Sequence, residues 1–342
     1  MKRLFLFIVL VIFAFFSKAQ NDPDKLIKES ALFQNKKQYR QAIYTLDKAI
    51  LIKPGSALAH YNRAIAYIGL NSLDSAFTDL SIAIQLDHKL AAAYVMRSNI
   101  YSQYGLYKKA IEDCDKAIEI NPKMALAYNN RGYFKSLQND NAGAILDYDR
   151  CMLYNPGNDT AYTNKSIALA AIGNFKESIA VLTLLISKHP ELSGAHFERA
   201  LEYKNVNELK KAMDDYDIGL KMDPDNAIAR VVRANLKLSL ADIQGARADY
   251  LQAVKSDTTY GWAHFALGRF KETQQDFKGA AIDYALAVKC DPKNLDILMP
   301  FADLLIRLER KEEACEIYLK AEALGSGAAS SKLIFNRCSA KQ

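Results

Sequence analysis

The hydrophobic and polar positions of this chain follow a helical period. Early in the sequence, Tyr61, Ala64 and Ile68 are spaced to fall on one face of a helix, and Leu80 and Ile84 on one face of the next. Apolar residues three and four positions apart indicate an α-helix, whereas strict alternation would indicate a strand. The pattern therefore predicts pairs of amphipathic helices of roughly 12–14 residues, separated by short turns.

The helix pairs recur with a fixed period that proline residues mark. Six of the eight prolines lie 34 residues or a multiple of 34 residues apart, at Pro54, Pro122, Pro156, Pro190, Pro224 and Pro292. His88 and Thr258 occupy the two intermediate positions. Without insertion or deletion, the period gives nine units, at residues 23–56, 57–90, 91–124, 125–158, 159–192, 193–226, 227–260, 261–294 and 295–328. We number the positions within a unit as stations 1 to 34, and we expect each unit to hold a helix A and a helix B that stops at the proline.

Several stations keep one side-chain size in all or nearly all units. Station 8 is Gly, Ala or Ser throughout, and station 20 is Ala except for Ser178. Station 27 is small except for Leu185, and station 24 is large except for Cys114. Small residues let two helix backbones approach closely, and large neighbours fill the space between them. These stations therefore predict close packing of helix A on helix B.

This arrangement resembles the tetratricopeptide repeat family over residues 23–328. The shared features are small residues at stations 8, 20 and 27, proline at station 32 and aromatic residues at stations 4, 11 and 24. The family tryptophan at station 4 is replaced here by His60, Tyr94, Tyr128, Tyr162, His196 and His264. The resemblance implies an all-α fold, a right-handed superhelical solenoid of nine 34-residue helix-turn-helix repeats followed by a C-terminal capping helix.

The segment YNNRG, residues 128–132, has the composition of a turn, yet the period places it inside a helix. It occupies stations 4 to 8 of helix A in unit four, where other units carry HYNRA or YVMRS. Gly132 is then a packing glycine, tolerated inside the helix at a cost of about 1 kcal/mol.

An arginine at station 7 always occurs with an aspartate at station 23 of the same unit. The pairs are Arg63 with Asp79, Arg97 with Asp113, Arg131 with Asp147, Arg199 with Asp215, and Arg233 with Asp249. Unit eight keeps Asp283 but has Leu267 at station 7. We predict structural salt bridges between helix A and helix B, which specify register more surely than they add stability. The alternative is a basic ladder for a ligand.

The resemblance also implies where a ligand binds, because helix A lines a concave groove in the family. Its stations 2, 5, 6, 9, 12 and 13 chiefly face that groove. Transferred to units two to five, they give Tyr61, Asn62, Ile65, Asn99, Gln103, Asn129, Asn130, Tyr133, Thr163 and Asn164. Asparagine both donates and accepts hydrogen bonds, so these amides suit the backbone of an extended peptide. The other interpretation is that they bond neighbouring helices or water.

Station 5 forms an apolar row, with Ile27, Tyr61, Val95, Phe197, Val231, Phe265 and Met299. Such a row binds apolar side chains of a partner or packs successive helices A together, and the sequence leaves both open. Chaperone-binding family members hold a C-terminal carboxylate with Lys and Asn at stations 5 and 9. Here Val95 stands at station 5 beside Asn99, with no lysine at a matching station, so we expect no carboxylate clamp.

No catalytic or metal-binding set emerges from the sequence. Three of the five histidines replace an aromatic residue at station 4, and His88 and His189 lie in turns at unit ends. None has a histidine or cysteine partner at a ligand spacing, and nucleophile and phosphate-binding motifs are missing. We therefore expect no enzymatic activity, no metal and no cofactor.

The first 19 residues have the three parts of a signal peptide. Lys2 and Arg3 precede an apolar run from Leu4 to Phe16, and Ser17 and Ala19 suit a cut after residue 19. The run is short for a membrane span, which needs about 20 residues, although an uncleaved anchor is the alternative.

Five cysteines without a CxxC motif argue against a disulfide framework or zinc site, and leave a single bridge open.

These observations predict an exported bacterial scaffold, in the periplasm or outside the cell, that binds a protein or peptide partner. The formal net charge of +6 includes no basic run, so nucleic acid is not the expected partner. Residues 329–342 are expected to form a capping helix and tail, with Leu333, Ile334 and Phe335 covering the end of the array. Two alternatives are a structural subunit of an envelope secretion or polymer-export complex, and a glycan-handling accessory protein that stacks sugars on Trp262, Phe265 and Tyr133.

Overall fold

The computed structural model describes residues 22–338, and this part of the chain consists of helices and short turns without a strand. The predicted signal peptide at residues 1–19 lies outside the described residues, as does the end of the predicted tail. In chain order the helices α1 to α19 are Pro23–Asn35, Tyr39–Ile52, Ala57–Gly69, Leu73–Leu86, Ala91–Gln103, Tyr107–Ile120, Ala125–Leu137, Asn141–Tyr154, Asp159–Ala171, Phe175–Lys188, Ser193–Asn205, Leu209–Met222, Ala227–Ser239, Ile243–Ser256, Gly261–Thr273, Phe277–Cys290, Leu295–Arg307, Lys311–Ala323 and Gly327–Phe335.

Each 34-residue unit holds two of these helices, and the all-α repeated fold is confirmed. Helix A has 13 residues and helix B has 14 in unit two, for example. The YNNRG segment lies within α7, as the period predicts. The right-handed superhelix stays a prediction.

The turn between helix A and helix B has the same backbone in all nine units. Station 15 takes a positive φ, close to the left-handed helical region, at Lys37, Asn71, Gly105, Asn139, Gly173, Asn207, Ala241, Gln275 and Glu309. This conformation ends helix A and turns the station 16 amide back to donate to the station 11 carbonyl, as from Ser72 N to Tyr67 O at 2.9 Å. Glycine and asparagine adopt this region most readily, and they hold five of the nine positions.

The core lies where helix A and helix B of a unit meet. The alanines at station 20, such as Ala42 and Ala144, have no exposed surface, and the tyrosines at station 24 are buried beside them. Gly132 at station 8 faces one of these tyrosines, because a Cβ built on it would come within 2.8 Å of the Tyr148 ring. The glycine in YNNRG therefore makes room for Tyr148, which is the packing role that the period predicts.

Contacts divide the chain into two compact parts, one up to Val181 and one from Leu182, with the division inside α10. Within each part, helices pack mainly on their neighbours in sequence. Of the helices in residues 22–338, none has both the length and the apolar character to span a bilayer.

The capping helix is present as α19, but one detail of the prediction is wrong. Leu333 is buried, whereas Ile334 and Phe335 are 80% and 83% exposed and do not cover the end. Consecutive residues of a helix point about 100° apart, so three in a row cannot share one buried face. A disulfide between Cys315 and Cys338 instead joins α18 to the chain just after α19.

Candidate functional site

The five arginine–aspartate pairs join helix A to helix B within one unit. Arg63 donates from Nε and Nη2 to the two carboxylate oxygens of Asp79, at 2.7 and 2.8 Å, and the other four pairs have the same forked arrangement. The aspartates are buried and the arginines are partly exposed. The hydrogen bond to Asp79 is the main reason why the pKa of Arg63 lies above its usual range. These groups are engaged within the fold and do not form a ladder for a ligand.

The station 7 cation also reaches the preceding unit, which sequence analysis missed. Arg63 donates to Asp47 at 2.7 Å and Arg199 to Thr183 at 3.1 Å, both at station 25 of the unit before. The acceptors at station 25 are Asp47, Ser81, Asp115, Asp149, Thr183 and Asp217. We call this row of contacts from station 7 to stations 23 and 25 the cation ladder. The sequence does indicate the contact between units, because station 25 is polar wherever the next unit has a cation at station 7.

Station 4 makes a second link between units that was missed. Tyr128 donates from its hydroxyl to the carbonyl of Pro122 at 3.1 Å, and Tyr162 donates in the same way to Pro156. The ring Nε2 of His60 lies 3.3 Å from the carbonyl of Pro54. A polar ring tip at station 4 thus replaces the family tryptophan and binds the end of the preceding unit, so its role is structural.

The cation ladder ends at unit seven and does not continue into unit eight. Leu251 stands at station 25 and Leu267 at station 7, where each of the six preceding junctions carries a polar pair. The two leucines line an open pocket of about 520 Å³. Asp283, at station 23, is bound instead by Lys271 at 2.7 Å.

Six of the ten predicted groove residues line one open pocket of about 680 Å³ in the N-terminal part. They are Asn99, Gln103, Asn129, Asn130, Tyr133 and Asn164. The remaining lining comes from neighbouring residues and includes Thr160 and Phe134. We call this the asparagine pocket, and it spans the helices A of units three to five, α5, α7 and α9.

Two amides of the asparagine pocket, Asn130 and Asn129, have hydrogen-bonding groups that the fold does not use. Asn130 Nδ2 donates to Asn99 Oδ1 at 2.8 Å, which leaves the second N–H of Asn130 for another acceptor. Asn129 is 9% exposed, and its Oδ1 has no hydrogen-bond partner among the described residues. An unsatisfied buried acceptor costs about 1–3 kcal/mol, and a donor from a ligand would remove that cost.

Four predicted groove residues do not line this pocket. Asn62 donates from Nδ2 to the carbonyl of Leu58 in its own helix at 2.8 Å, and Thr163 donates to Asp159 at 3.2 Å. Tyr61 packs against the core of unit two, where burial raises the pKa of its hydroxyl. Ile65 is half-buried.

The apolar row at station 5 packs inside the fold. Ile27, Val95, Val231 and Phe265 are all buried, with 6% or less of their surface exposed. This favours the packing interpretation over a surface for apolar partner side chains. Asn129 is the buried exception in this row, because it places an amide where other units place an apolar side chain.

The described residues offer little for catalysis. No group of three or more His, Cys, Asp or Glu side chains that could hold a metal ion occurs between residues 22 and 338. The two histidines whose Nδ1 lies near an aspartate, His60 and His196, also contact a proline carbonyl, so both ring nitrogens have structural partners.

Family models of the tetratricopeptide repeat match residues 91–124 and residues 231–294. Among solved structures, the chain is similar to a tetratricopeptide repeat protein from Parabacteroides merdae, at 22% identity and a TM-score of 0.55, covering 72% of this chain and 98% of that one. It is also similar to PilW, a type IV pilus biogenesis factor, at 22% identity and a TM-score of 0.54, covering 60% and 94%. These likenesses show the fold. Among proteins of curated function, none matches the chain.

Proposed function

Because the chain is a tetratricopeptide repeat protein, we propose that it is a non-enzymatic scaffold that binds an extended peptide segment of a partner protein in the asparagine pocket. The observation that carries this proposal is the buried Oδ1 of Asn129, which has no partner among the described residues and belongs to a side chain that lines the pocket. An N–H of a peptide backbone satisfies such an acceptor.

The pocket offers both kinds of group that an extended backbone needs. Asn129 supplies an acceptor, Asn130 supplies an N–H that Asn99 does not use, and Asn164 supplies a further amide across the pocket. Tyr133 is 46% exposed at the same pocket and can cover a peptide side chain with its ring. Side-chain amides that bond a backbone recognise the extended conformation more than a particular sequence, so the ring would supply part of the selectivity.

The proposed place of action is outside the cytoplasm, in a bacterial periplasm or at its membrane surface. The signal peptide predicted at residues 1–19 supports this location. The disulfide between Cys315 and Cys338 also supports it, because disulfides persist in oxidising compartments and are rare in the cytosol.

A photocrosslinking experiment tests the site directly. The crosslinking amino acid p-benzoylphenylalanine replaces Tyr133 at the asparagine pocket in one variant, and Leu146 on helix B of the same unit in a matched control. Leu146 is 68% exposed, so both probes are accessible. We expect a defined partner peptide to be crosslinked from position 133 and not from position 146, with the attachment site identified by mass spectrometry.

A set of substitutions separates the pocket from the rest of the helix surface. The triple variant Asn130→Ala, Tyr133→Ala, Asn164→Ala should lose the partner, while Asn62→Ala should keep it, because the Asn62 amide bonds its own helix. Crosslinks from position 146 that persist in the triple variant would instead favour a structural subunit held by its helix B surface. Binding of a soluble oligosaccharide alone would favour the glycan-handling alternative.

A further inference from the structure

A second pocket, of about 230 Å³, lies on helices α13, α14 and α15 in the C-terminal part of the chain. Its floor is made of buried aromatic rings, Tyr250, Phe265 and Phe270. Its rim carries Trp262 and Arg269, with Asn235 on the neighbouring helix. We call it the aromatic pocket. It differs from the asparagine pocket in position and in chemistry, because rings replace amides.

The rings of the aromatic pocket are in contact with one another. Trp262 and Phe265 have ring centroids 5.0 Å apart, and those of Tyr250 and Phe270 are 5.5 Å apart. Trp262 is the only tryptophan of the chain and keeps 39% of its surface exposed. A large ring left partly exposed above a buried aromatic floor is the composition that dominates binding energy in protein interfaces.

The charge at the rim points to an anionic ligand. Arg269 is exposed, and no carboxylate occurs among the described residues that line the pocket. In the cation ladder, by contrast, each arginine is bound by a buried aspartate. The Arg269 guanidinium also acts on the pocket floor, where burial raises the pKa of Tyr250 to about 12 and the nearby positive charge offsets part of that rise. One polar contact of the rim is already made, since the Tyr250 hydroxyl donates to Asn235 Oδ1 at 2.5 Å.

We infer that the aromatic pocket binds one aromatic side chain of an acidic peptide segment, with its ring on Trp262 and an adjacent carboxylate on Arg269. The volume corresponds to that of about eight water molecules, which suits a single ring and excludes a folded element. A carboxylate accepts two parallel hydrogen bonds from a guanidinium, which gives both charge and orientation. This site goes beyond the asparagine pocket, because it needs an acidic aromatic ligand and does not depend on the amides of units three to five.

The single tryptophan makes the test direct. Excitation of Trp262 in the full chain reports ligand binding at this pocket, with the capped pentapeptide Gly-Asp-Phe-Asp-Gly as the probe. Two matched probes replace Phe by Ala, or both Asp by Lys. We expect the acidic Phe peptide to shift the Trp262 emission and to bind at least tenfold more tightly than either matched peptide. A sample without an emission shift and without heat of binding in calorimetry, at millimolar peptide, would overturn the proposal.

Variants locate the binding. Arg269→Gln should weaken binding of the acidic Phe peptide about tenfold, since a charge-assisted hydrogen bond is lost. Arg247→Gln removes the same charge from an exposed residue that does not line this pocket, and should leave the affinity within twofold. Trp262→Ala, measured by calorimetry, should also lose binding. Equal loss in the Arg247 and Arg269 variants would show a general charge effect and contradict the site.

Two further outcomes separate this inference from others. If an acidic oligosaccharide of uronic acid residues shifts the Trp262 emission and the peptides do not, the pocket binds sugars and the peptide proposal is wrong. The triple variant of the asparagine pocket should bind the Phe peptide as the parent does. If the chain with the crosslinker at position 133 and no other substitution captures no partner peptide, and Trp262 still titrates with the Phe peptide, the proposed function is rejected and this inference stands.

Discussion

Asn129 is a side chain that we expect to favour ligand binding while it lowers the stability of the unbound fold. It occupies station 5, where Val95 and Val231 are buried in units three and seven. Its carbonyl oxygen is buried without a partner among the described residues, which is unfavourable for the unbound fold. A residue that costs stability at a pocket wall is expected where function requires it.

Asn129→Val should therefore stabilise the unbound protein and abolish peptide binding. Removal of the unsatisfied acceptor should raise the free energy of unfolding by about 1 kcal/mol, because valine already fits this station elsewhere. Urea denaturation measures the first effect, and crosslinking from position 133 measures the second. A variant that is less stable than the parent would contradict the assignment of Asn129 as an unsatisfied group.

Glu202 is a second polar residue in an apolar row, at station 10, where Ile100 and Phe270 are buried. It is 3% exposed, and burial is the main reason why its pKa is raised, with a further rise from nearby Glu198 and an opposing effect of the Asn205 hydrogen bond. A raised carboxyl pKa means that the charged form is disfavoured in the folded state. Folding is therefore penalised above the folded pKa, and the penalty disappears as the pH falls below the ordinary value of 4.5.

Glu202→Leu should stabilise the protein at pH 7, by about 1 kcal/mol or more, and the gain should shrink as the pH falls towards 4.5. The measurement is urea denaturation of parent and variant at several pH values. Glu112→Leu, at an exposed position of helix α6, serves as the control and should show a small change at every pH. A Glu202→Leu gain that grows as the pH falls would contradict a raised pKa for this carboxyl group.

At the scale of helices, the cation ladder is a contact that joins each of units two to seven to the unit before it. Arg131 and Lys135 both bind Asp147 in unit four, and Arg131 also binds Asp115. Unit eight keeps the corresponding lysine and aspartate, Lys271 and Asp283. Only the arginine and its station 25 acceptor are missing there, so two substitutions would extend the ladder to unit eight.

The variants Leu251→Asp and Leu267→Arg should be coupled favourably. Leu267→Arg alone places a cation beside the apolar Leu251. Leu251→Asp alone places a carboxylate at the pocket that the two leucines line, without a cation at station 7 to bind it. Together they should form the contact that Asp115 and Arg131 make, with a coupling free energy of about 0.5–3 kcal/mol in a double-mutant cycle measured by urea denaturation. A coupling energy near zero would show that the station 25 contact is too exposed to contribute.

The sequence predicted much of this element-scale structure, because a strict period repeats the same packing problem in each unit. The helix pairs follow from apolar spacing, and the Arg63–Asp79 type of pair follows from the joint occurrence of the two residues within a unit. The station 25 contact was missed because its partners lie in different units. The difference between Asn62 and Asn130 could not be predicted, since both stand at station 6 and only their side-chain torsions decide which acceptor each reaches.

At the scale of the whole chain, the disulfide is a covalent link that helps to hold α19 at the end of the array. It closes a loop with a sequence separation of 23 around that helix. In the chain-entropy model such a loop contributes about 3 kcal/mol. Ala329 and Leu333 are also buried, and Lys332 donates to Asp303 at 2.8 Å, while Ile334 and Phe335 remain exposed.

Cys338→Ser should loosen the C-terminal end and leave the asparagine pocket unchanged. Contacts in a repeat array are mostly between neighbours, so loss of a terminal contact spreads only a short distance. Hydrogen exchange should accelerate in α19 and α18 and stay the same in α5, α7 and α9. Cys290→Ser, which removes a free exposed thiol, should leave exchange unchanged throughout. Faster exchange at the asparagine pocket in Cys338→Ser would contradict this local effect.

The cation ladder also restricts the order in which such units can follow one another. Units one to six have a polar residue at station 25, from Asp47 to Asp217. The unit that follows each of them has a cation at station 7. Units seven and eight have the apolar residues Leu251 and Ala285 at station 25. The unit that follows each of them has an apolar residue at station 7. A duplicated or transplanted unit therefore remains compatible only with neighbours of the matching type. All units have the same length, but the side chains at station 25 of one unit and station 7 of the next decide which units can be neighbours. This restriction applies to recombination between repeats and to the design of new arrays.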